Sequence, residues 1–258
     1  SPDTRCPYGI PGAQELGLMQ IRILGSGDAV GTPHVGCHCK NCTHAQEAGI
    51  ERLRTSLLIT NENHNLIIDT TPDLRRQLLQ AGSPKIDAVI WTHGHYDHFM
   101  GFGDFYRVQR IPPVYAAPQV LASCSPVFHF LIREERPVEV YTPFITCGLE
   151  VTLVRVEHPN IYTTGVVISD GRTRIGYTSD TNEHIPPESR DLFRGVDMLF
   201  IDGLFTDSYK KVEKHLNYEE AIELAKELKV KDFRIVHMSH VIPFDAPGQG
   251  RDGEVFSY

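Results

Sequence analysis

The densest group of metal-binding side chains lies in the run Thr92-His93-Gly94-His95-Tyr96-Asp97-His98, which contains three histidines and one aspartate. The run ends an apolar segment, residues 88–92, that predicts a buried strand. A strand end holds its side chains rigidly while they converge on a site. Because imidazole and carboxylate groups bind divalent cations, the run predicts a metal centre rather than a solvated polar loop.

The spacing within this run indicates two ions rather than one. In an extended backbone His93 and His95 point to the same side and can share a cation. Asp97 and His98 can then turn toward a second cation about 3.5–4 Å from the first, the separation found in two-metal hydrolytic sites. Such a pair lowers the pKa of a shared water, so the predicted chemistry is hydrolysis.

A second metal-binding cluster contains three cysteines within six residues, namely Cys37, Cys39 and Cys42. Cysteines this close together pair poorly as disulfides, and a structural zinc requires four ligands. We expect His240 to be the fourth ligand, with His38 and His44 as alternatives. One structural Zn would then tie an N-terminal loop to the C-terminal end of the predicted active site.

The elements that position these residues alternate between strands and helices. Strands are predicted at residues 19–25, 57–59, 66–69, 88–92, 150–157, 165–169, 173–179, 197–202 and 233–237. One helix is expected to run to Gln80, with Thr71 as its N-cap and Pro72 at its first position. Other helices are expected at residues 189–193 and 217–230. Residues 112–143 are expected to form a short strand, a helix and irregular connections. Two strand blocks interleaved with helices predict a layered α/β fold.

Composition restricts the class of protein. The chain has 258 residues, of which 41% are hydrophobic and 22% charged, as in a folded domain with a sizeable core. We expect one domain at residues 19–258, preceded by an N-terminal extension at 1–18. The net charge of −8 argues against a large nucleic acid partner, and no apolar run is long enough for a membrane helix. The clustered cysteines favour a reducing, cytoplasmic setting.

The run His93-x-His95-x-Asp97-His98 resembles the HxHxDH signature of the metallo-β-lactamase superfamily, and the resemblance extends from about residue 19 to about 245. It implies a four-layer αβ/βα sandwich with three later ligands at strand ends, namely His158, Asp180 and His237. It also implies that one ion is held by His93, His95 and His158, and the other by Asp97, His98 and His237. Asp180 would bridge the two ions. Asp202 also ends a strand, but the Tyr-Thr-Ser-Asp-Thr context favours Asp180.

The cysteine loop, the HxHxDH run and the late pair His237 and His240 together resemble the PhnP group of this superfamily. That group comprises phosphodiesterases acting on phosphoribosyl 1,2-cyclic phosphate. The resemblance implies a dinuclear phosphodiesterase with two divalent ions, Zn or Mn, and one structural Zn. His215 matches a histidine that the group uses near the leaving group, and Asp97 would position metal. The expected partner is a small phosphodiester.

Three other interpretations stay open at this point. The same fold supports RNA 3′-processing nucleases and thioester or lactone hydrolases. An RNA-processing enzyme would need a basic arm, whereas this chain offers only a small basic group, Lys210, Lys211 and Lys214. A non-enzymatic module with structural metals is opposed by the full ligand set, because structural zinc sites are usually closed and mononuclear. A homodimer is left open.

Overall fold

The computed structural model describes residues 18–258, so all but the last residue of the expected extension at 1–18 lies outside the described part. The strands are β1 (Gln20–Gly25), β2 (Ser56–Asn61), β3 (His64–Ile68), β4 (Ala88–Ile90), β5 (Val114–Ala116), β6 (Glu135–Pro137), β7 (Phe144–Thr146), β8 (Leu149–Val156), β9 (Thr163–Ser169), β10 (Arg174–Tyr177), β11 (Met198–Asp202), β12 (Asp232–Val236) and β13 (Val255–Ser257). The α-helices are α1 (Lys40–Ala48), α2 (Leu74–Gln80), α3 (Tyr96–Phe99), α4 (Pro118–Cys124), α5 (Pro187–Phe193) and α6 (Tyr218–Glu227). Within residues 18–258, no helix has the length and apolar character that crossing a membrane requires.

The strands form two sheets that face each other. One has the order β13-β1-β2-β3-β4-β5-β6, and the other has the order β12-β11-β10-β9-β8-β7. A shared apolar core contains side chains from both sheets, including Ile21, Leu66, Val151 and Phe200. Separate apolar clusters join the first sheet to α2 and α4 and the second sheet to α5 and α6. The αβ/βα sandwich implied by the sequence resemblance is therefore confirmed.

In each sheet, the parallel strands place the loops that follow them at the same edge. β3, β4, β5 and β6 pair in parallel, and so do β10, β11 and β12. Carboxyl ends of parallel strands lie at the same edge of a sheet, which is where ligands bind in open α/β sheets. The two edges meet directly, because the Thr164 amide donates to the Thr92 carbonyl at 3.0 Å and the His237 amide donates to Thr55 Oγ1 at 3.0 Å.

Local differences from the sequence-based elements have clear causes. The helix expected after Thr71 begins at Leu74 with Asp73 as its N-cap, because Thr71 Oγ1 accepts the Asp73 amide and makes a turn there. Helix α1 was not predicted, since Cys42 and Ala45 are its only buried residues and leave little apolar pattern. Helix α6 ends at Glu227 rather than 230, and Lys229 then adopts a left-handed φ of 53°.

Candidate metal-binding active site

The seven side chains expected to bind the ion pair come together as two groups. One ligand atom from each member of the first group lies within 4.8 Å of the others, and this group is His93, His95, His158 and Asp180. The second group meets the same limit and is Asp97, His98 and His237. The Asp180 carboxylate lies between them: Oδ2 is 3.5 Å from Nε2 of both His93 and His237. Its Oδ1 is 3.3 Å from His98 Nε2. This placement suits a bridging ligand.

The unsatisfied atoms of the site fit divalent cations. His93 Nε2, His98 Nε2, His237 Nε2 and Asp180 Oδ1 are buried, and none has a hydrogen-bond partner among the described residues. A buried polar atom without a partner costs free energy, so several such atoms aimed at one centre fit the binding of a positive group. Imidazole nitrogens with carboxylate oxygens are a donor set for Zn²⁺ or Mn²⁺.

A hydrogen-bond network turns the histidines so that Nε2 faces the centre. His98 Nδ1 lies 2.7 Å from Asp69 Oδ2, and the Thr92 hydroxyl donates to the same carboxylate oxygen at 2.8 Å. His93 Nδ1 lies 3.1 Å from Thr92 Oγ1, which also accepts the Ser179 hydroxyl at 2.9 Å. Protons on Nδ1 satisfy both contacts and leave Nε2 free for an ion. Asp69, Thr92 and Ser179 were not among the expected site residues.

Three residues of the site have left-handed backbone conformations. The φ angles are 63° at Asp69, 56° at Ser179 and 58° at His237. Non-glycine residues rarely adopt this region, and such strain concentrates at functional sites because the surrounding structure must enforce it. Each residue immediately follows a strand or lies two positions beyond it, so the left-handed conformation bends the chain where a ligand, His237, or a supporting residue, Asp69 or Ser179, leaves the sheet.

Mutual charge sets the protonation of the buried groups. Burial alone would raise the pKa of Asp180, but His237, His98 and His93 outweigh it and hold that pKa well below its ordinary value. The pKa of Asp97 is lowered in the same way by His98 and His237. Burial opposes charge on His98 and His237, yet the neighbouring carboxylates raise the pKa of both well above normal. The carboxylates are thus held as anions, the form that binds cations.

His215 and Asp202 form a pair beside both ligand groups. His215 Nδ1 lies 2.8 Å from Asp202 Oδ2, which also accepts the Thr181 amide at 3.0 Å. The His215 ring lies 4.8 Å from the His158 ring and 5.0 Å from the His237 ring, with which it stacks at 16°. Burial would raise the pKa of Asp202, but His215 and His237 lower it. The sequence marked Asp202 only as a rival to Asp180, whereas its position here is that of an orienting carboxylate.

The cysteine cluster is a second centre. Its Sγ atoms, from Cys37, Cys39 and Cys42, each lie 3.4 Å from His240 Nδ1. His240 thus occupies the fourth position, and the alternatives His38 and His44 are not part of this group. The His34 ring stacks on the His240 ring at 3.9 Å, and the His34 amide donates to Cys42 Sγ. Three thiolates and one imidazole are a closed tetrahedral zinc set.

One buried arginine holds the segment that carries both late histidines. Arg52 Nη1 donates to the carbonyls of Ser239 and Ile242, and Nη2 donates to Pro243 O and Gln249 Oε1. The Arg52 side chain is anchored next to β2, so these bonds fasten the chain after β12 to the first sheet. His237 and His240 are thereby held on the same short segment, one facing each metal cluster.

Comparison with known proteins agrees with this geometry. The sequence pattern of the family described as "Beta-lactamase superfamily domain" matches residues 64–238. An octanoyltransferase of Porphyromonas gingivalis (strain ATCC BAA-308 / W83) is 32% identical over 239 residues, covering 87% of this chain and 47% of that protein. The chain therefore spans about half the length of that relative.

Two solved structures share the architecture. A diphosphatase from the PhnP family has 29% sequence identity and a TM-score of 0.83, covering 93% of this chain and 97% of that chain. Zn²⁺-bound PqqB from Methylobacterium extorquens has 22% identity and a TM-score of 0.78, covering 92% and 99%, and supports the fold alone. With the family pattern extending over more than half of its residues, the chain belongs to the metallo-β-lactamase superfamily and is similar to its PhnP members.

Proposed function

We propose that this protein is a dinuclear metal-dependent phosphodiesterase that hydrolyses a small phosphodiester, such as phosphoribosyl 1,2-cyclic phosphate. The observation that carries the proposal is the His215–Asp202 pair, at 2.8 Å, standing beside two converged ligand groups. A purely structural metal site has no use for an oriented, partly exposed imidazole at its rim. The likeness to a PhnP-family diphosphatase supports phosphorus as the reacting centre.

The ligand groups divide the work of binding. His93, His95 and His158 would hold one cation, Asp97, His98 and His237 the other, and Asp180 would contact both. When bound, two such cations supply an activated water and positive charge against the phosphate oxygens. Asp97 and Asp180 remain anionic and position the cations, so neither is free to act as a base. The local positive charge lets a protein of net charge −8 bind a small anion.

His215 is placed to protonate the leaving oxygen of the substrate. Asp202 Oδ2 accepts a hydrogen bond from His215 Nδ1–H and fixes the ring, which leaves Nε2 as the nitrogen that can serve a substrate. From Nε2 a proton passes to the leaving oxygen as the bond to phosphorus breaks. The His215 side chain is 12% exposed, so a substrate can reach it and solvent can return its proton.

The test is a substrate panel on the purified, metal-loaded protein. Its members are ribosyl 1,2-cyclic phosphate, 2′,3′-cyclic nucleotides, bis-nitrophenyl phosphate and an acyl thioester. We expect turnover of phosphodiesters that exceeds turnover of the thioester, and the order among them identifies the substrate class. Two bound ions with no hydrolysis of any phosphodiester would contradict the proposal.

A matched pair of variants tests the proton donor. His215→Ala should lower kcat on the ribosyl cyclic phosphate by about 10²–10⁴-fold with its metal content retained. The loss should be much smaller on bis-nitrophenyl phosphate, because nitrophenolate leaves without a proton. His64→Ala, at a 55% exposed surface histidine, is the control and should leave both rates unchanged. Equal losses on the two substrates would remove His215 from proton transfer.

A thioester hydrolase is the second candidate. The observation in its favour is the relative named octanoyltransferase, half of which this chain matches at 32% identity. Octanoyl transfer concerns an acyl group, and the same two-cation centre can polarise a thioester carbonyl. An octanoyl thioester in the substrate panel decides the matter: turnover of it well above that of every phosphodiester would favour acyl hydrolysis.

A further inference from the structure

A third group of metal-binding atoms overlaps the active site. Asp180, Asp202, His215 and His237 each offer a ligand atom within 4.8 Å of the others. Two of these residues belong to the dinuclear groups, and the other two form the hydrogen-bonded pair. We propose that Asp202 and His215 form a third, weaker cation position, which takes Zn²⁺ when free zinc is abundant and then blocks the proton donor.

The local atoms are suited to an ion. Asp202 Oδ2 and His215 Nδ1 are 2.8 Å apart, and a carboxylate oxygen beside an imidazole nitrogen is a zinc ligand pair. Asp202 is 1% exposed, and its Oδ1 has no hydrogen-bond partner among the described residues. This oxygen lies 3.3 Å from His237 Nδ1, so the two oxygens of the carboxylate face ring nitrogens of two histidines in the same group.

The position must be weaker than the two neighbouring ones. His237 would contact its cation through Nε2, which lies 3.6 Å from Asp97 and 3.5 Å from Asp180. Asp180 is likewise shared between the dinuclear groups, so the extra ion has two protein ligands of its own and completes its shell with solvent. Two nearby cations also repel it. We therefore expect it to fill only after the other centres.

Occupancy removes the proton donor without removing any residue. The cation takes the place of the proton on His215 Nδ1, and that proton leaves to solvent. The ring then keeps one proton, on Nε2, and is neutral apart from the bound ion. Transfer of that last proton would leave an imidazolate anion, so the ring no longer serves as the proton donor. The bond from Asp202 that orients the ring is lost at the same step.

The ligand types make the effect selective. Divalent ions bind nitrogen-containing sites in an order that places Mn²⁺ below Zn²⁺, and Mg²⁺ prefers oxygen. Excess Zn²⁺ should occupy the position, whereas equal concentrations of Mn²⁺ or Mg²⁺ should leave it unfilled.

A zinc titration of the full-length protein tests the binding step without reference to activity. Isothermal titration with a competing chelator should show one weak zinc in the wild type beyond the ions held by the two main centres. His215→Ala and Asp202→Asn should each lose that weak zinc, and His64→Ala should keep it. His64 is the matched control because it forms a surface histidine–aspartate contact, Nδ1 to Asp87 Oδ2 at 3.9 Å. Equal zinc counts in wild type and both variants would overturn the proposal.

Diffraction at the zinc absorption edge locates the weakly bound zinc ion. Crystals soaked in excess Zn²⁺ should show an additional anomalous peak between Asp202 and His215, absent from crystals of His215→Ala. A weak zinc located elsewhere on the molecule overturns the assignment even if the titration counts differ.

The inhibitory consequence rests on the proposed function. Phosphodiester turnover should fall roughly tenfold or more when free Zn²⁺ saturates the weak position, and recover on chelation. The residual activity of His215→Ala should not respond to the same excess. If the protein hydrolyses no phosphodiester, the proposed function fails while the titration still decides the third position. Equal inhibition by Mn²⁺ would contradict a site built on imidazole.

Discussion

At the scale of single residues, the hydroxyl of Thr92 connects the two ligand groups. It donates to Asp69, which holds His98, and it accepts from Ser179 while lying 3.1 Å from His93 Nδ1. One buried hydroxyl thus orients a histidine of each predicted ion. Outer hydrogen bonds of this kind fix the ring orientation and the basicity of a metal ligand.

Replacing Thr92 by valine removes this hydroxyl at nearly constant volume. We expect Thr92→Val to weaken binding of both active-site ions by about 10–100-fold, because His93 and His98 lose their common support. Competition with a chelator measures the two affinities. Thr164→Val is the control, since the buried Thr164 hydroxyl donates only to the Thr92 carbonyl, at 3.2 Å. An equal loss in both variants would show that general packing, rather than the network, sets the affinity.

At the scale of elements, α1 depends on the cysteine cluster more than on apolar packing. The helix has nine residues, only Cys42 and Ala45 are buried, and its N-cap Cys39 makes no side-chain capping bond. Helices this short are marginal in water without tertiary support. The contacts of Cys39 and Cys42 with His240 provide that support, and Asn41 Nδ2 donates a hydrogen bond to the His240 carbonyl at 2.9 Å.

Removing one thiolate should therefore release the helix. Cys42→Ser is expected to lower zinc content by one ion and to raise amide hydrogen exchange across α1 and around His240, with the central strands unchanged. Cys147→Ser is the control, because Cys147 lies outside the cluster in the turn between β7 and β8. Loss of zinc with unchanged exchange in α1 would show that packing alone holds this helix.

At the scale of the whole molecule, the site lies where the two sheets meet, and it buries several ionisable side chains there. Burial lowers the pKa of His93 and His158, whereas the carboxylates raise the pKa of His98 and His237. Without cations, the raised pKa values of His98 and His237 contribute stability that is fully present below about pH 6.5. This stability is lost as the pH rises through the folded-state pKa values of the two histidines. The lowered pKa values of His93 and His158 have the opposite effect. Below about pH 6.5 these two histidines take up protons only in the unfolded chain, so stability falls as the pH falls.

The histidine contribution to the stability of the metal-free protein should therefore be greatest near pH 6.5, and it should fall on either side by up to about 3 kcal/mol per pH unit, since each of the two histidines that change charge there contributes about 1.4. In the metal-loaded protein, stability should keep rising to higher pH, because cations compete with protons for the same atoms. Urea unfolding between pH 5 and 8.5, with chelator and with Zn²⁺, measures both curves. A metal-free protein that gains stability steadily up to pH 8.5 would contradict this charge arrangement.

Much of this protein could be predicted from local patterns. The run from His93 to His98 and the spacing of Cys37, Cys39 and Cys42 are short-range signals, and the strand-ending positions of His158, Asp180 and His237 followed from the family resemblance. The layered α/β fold followed from alternating apolar runs. Such features depend on residues close in sequence or on periodicity, so they can be predicted from the sequence alone. Helix α1 escaped prediction because its stabilising contacts are with distant residues.

Tertiary structure alone decided the partners of these ligands. Asp69 meets His98 across 29 residues, and Ser179 meets Thr92 across 87. Nothing in the chain near Asp69 or Thr92 distinguishes them from ordinary strand-end residues. Their roles arise from sheet pairing and from the meeting of two sheet edges, which depend on long-range packing. The ligand types were therefore determined by sequence, whereas their orientation and the pairing of Asp202 with His215 were determined by the fold.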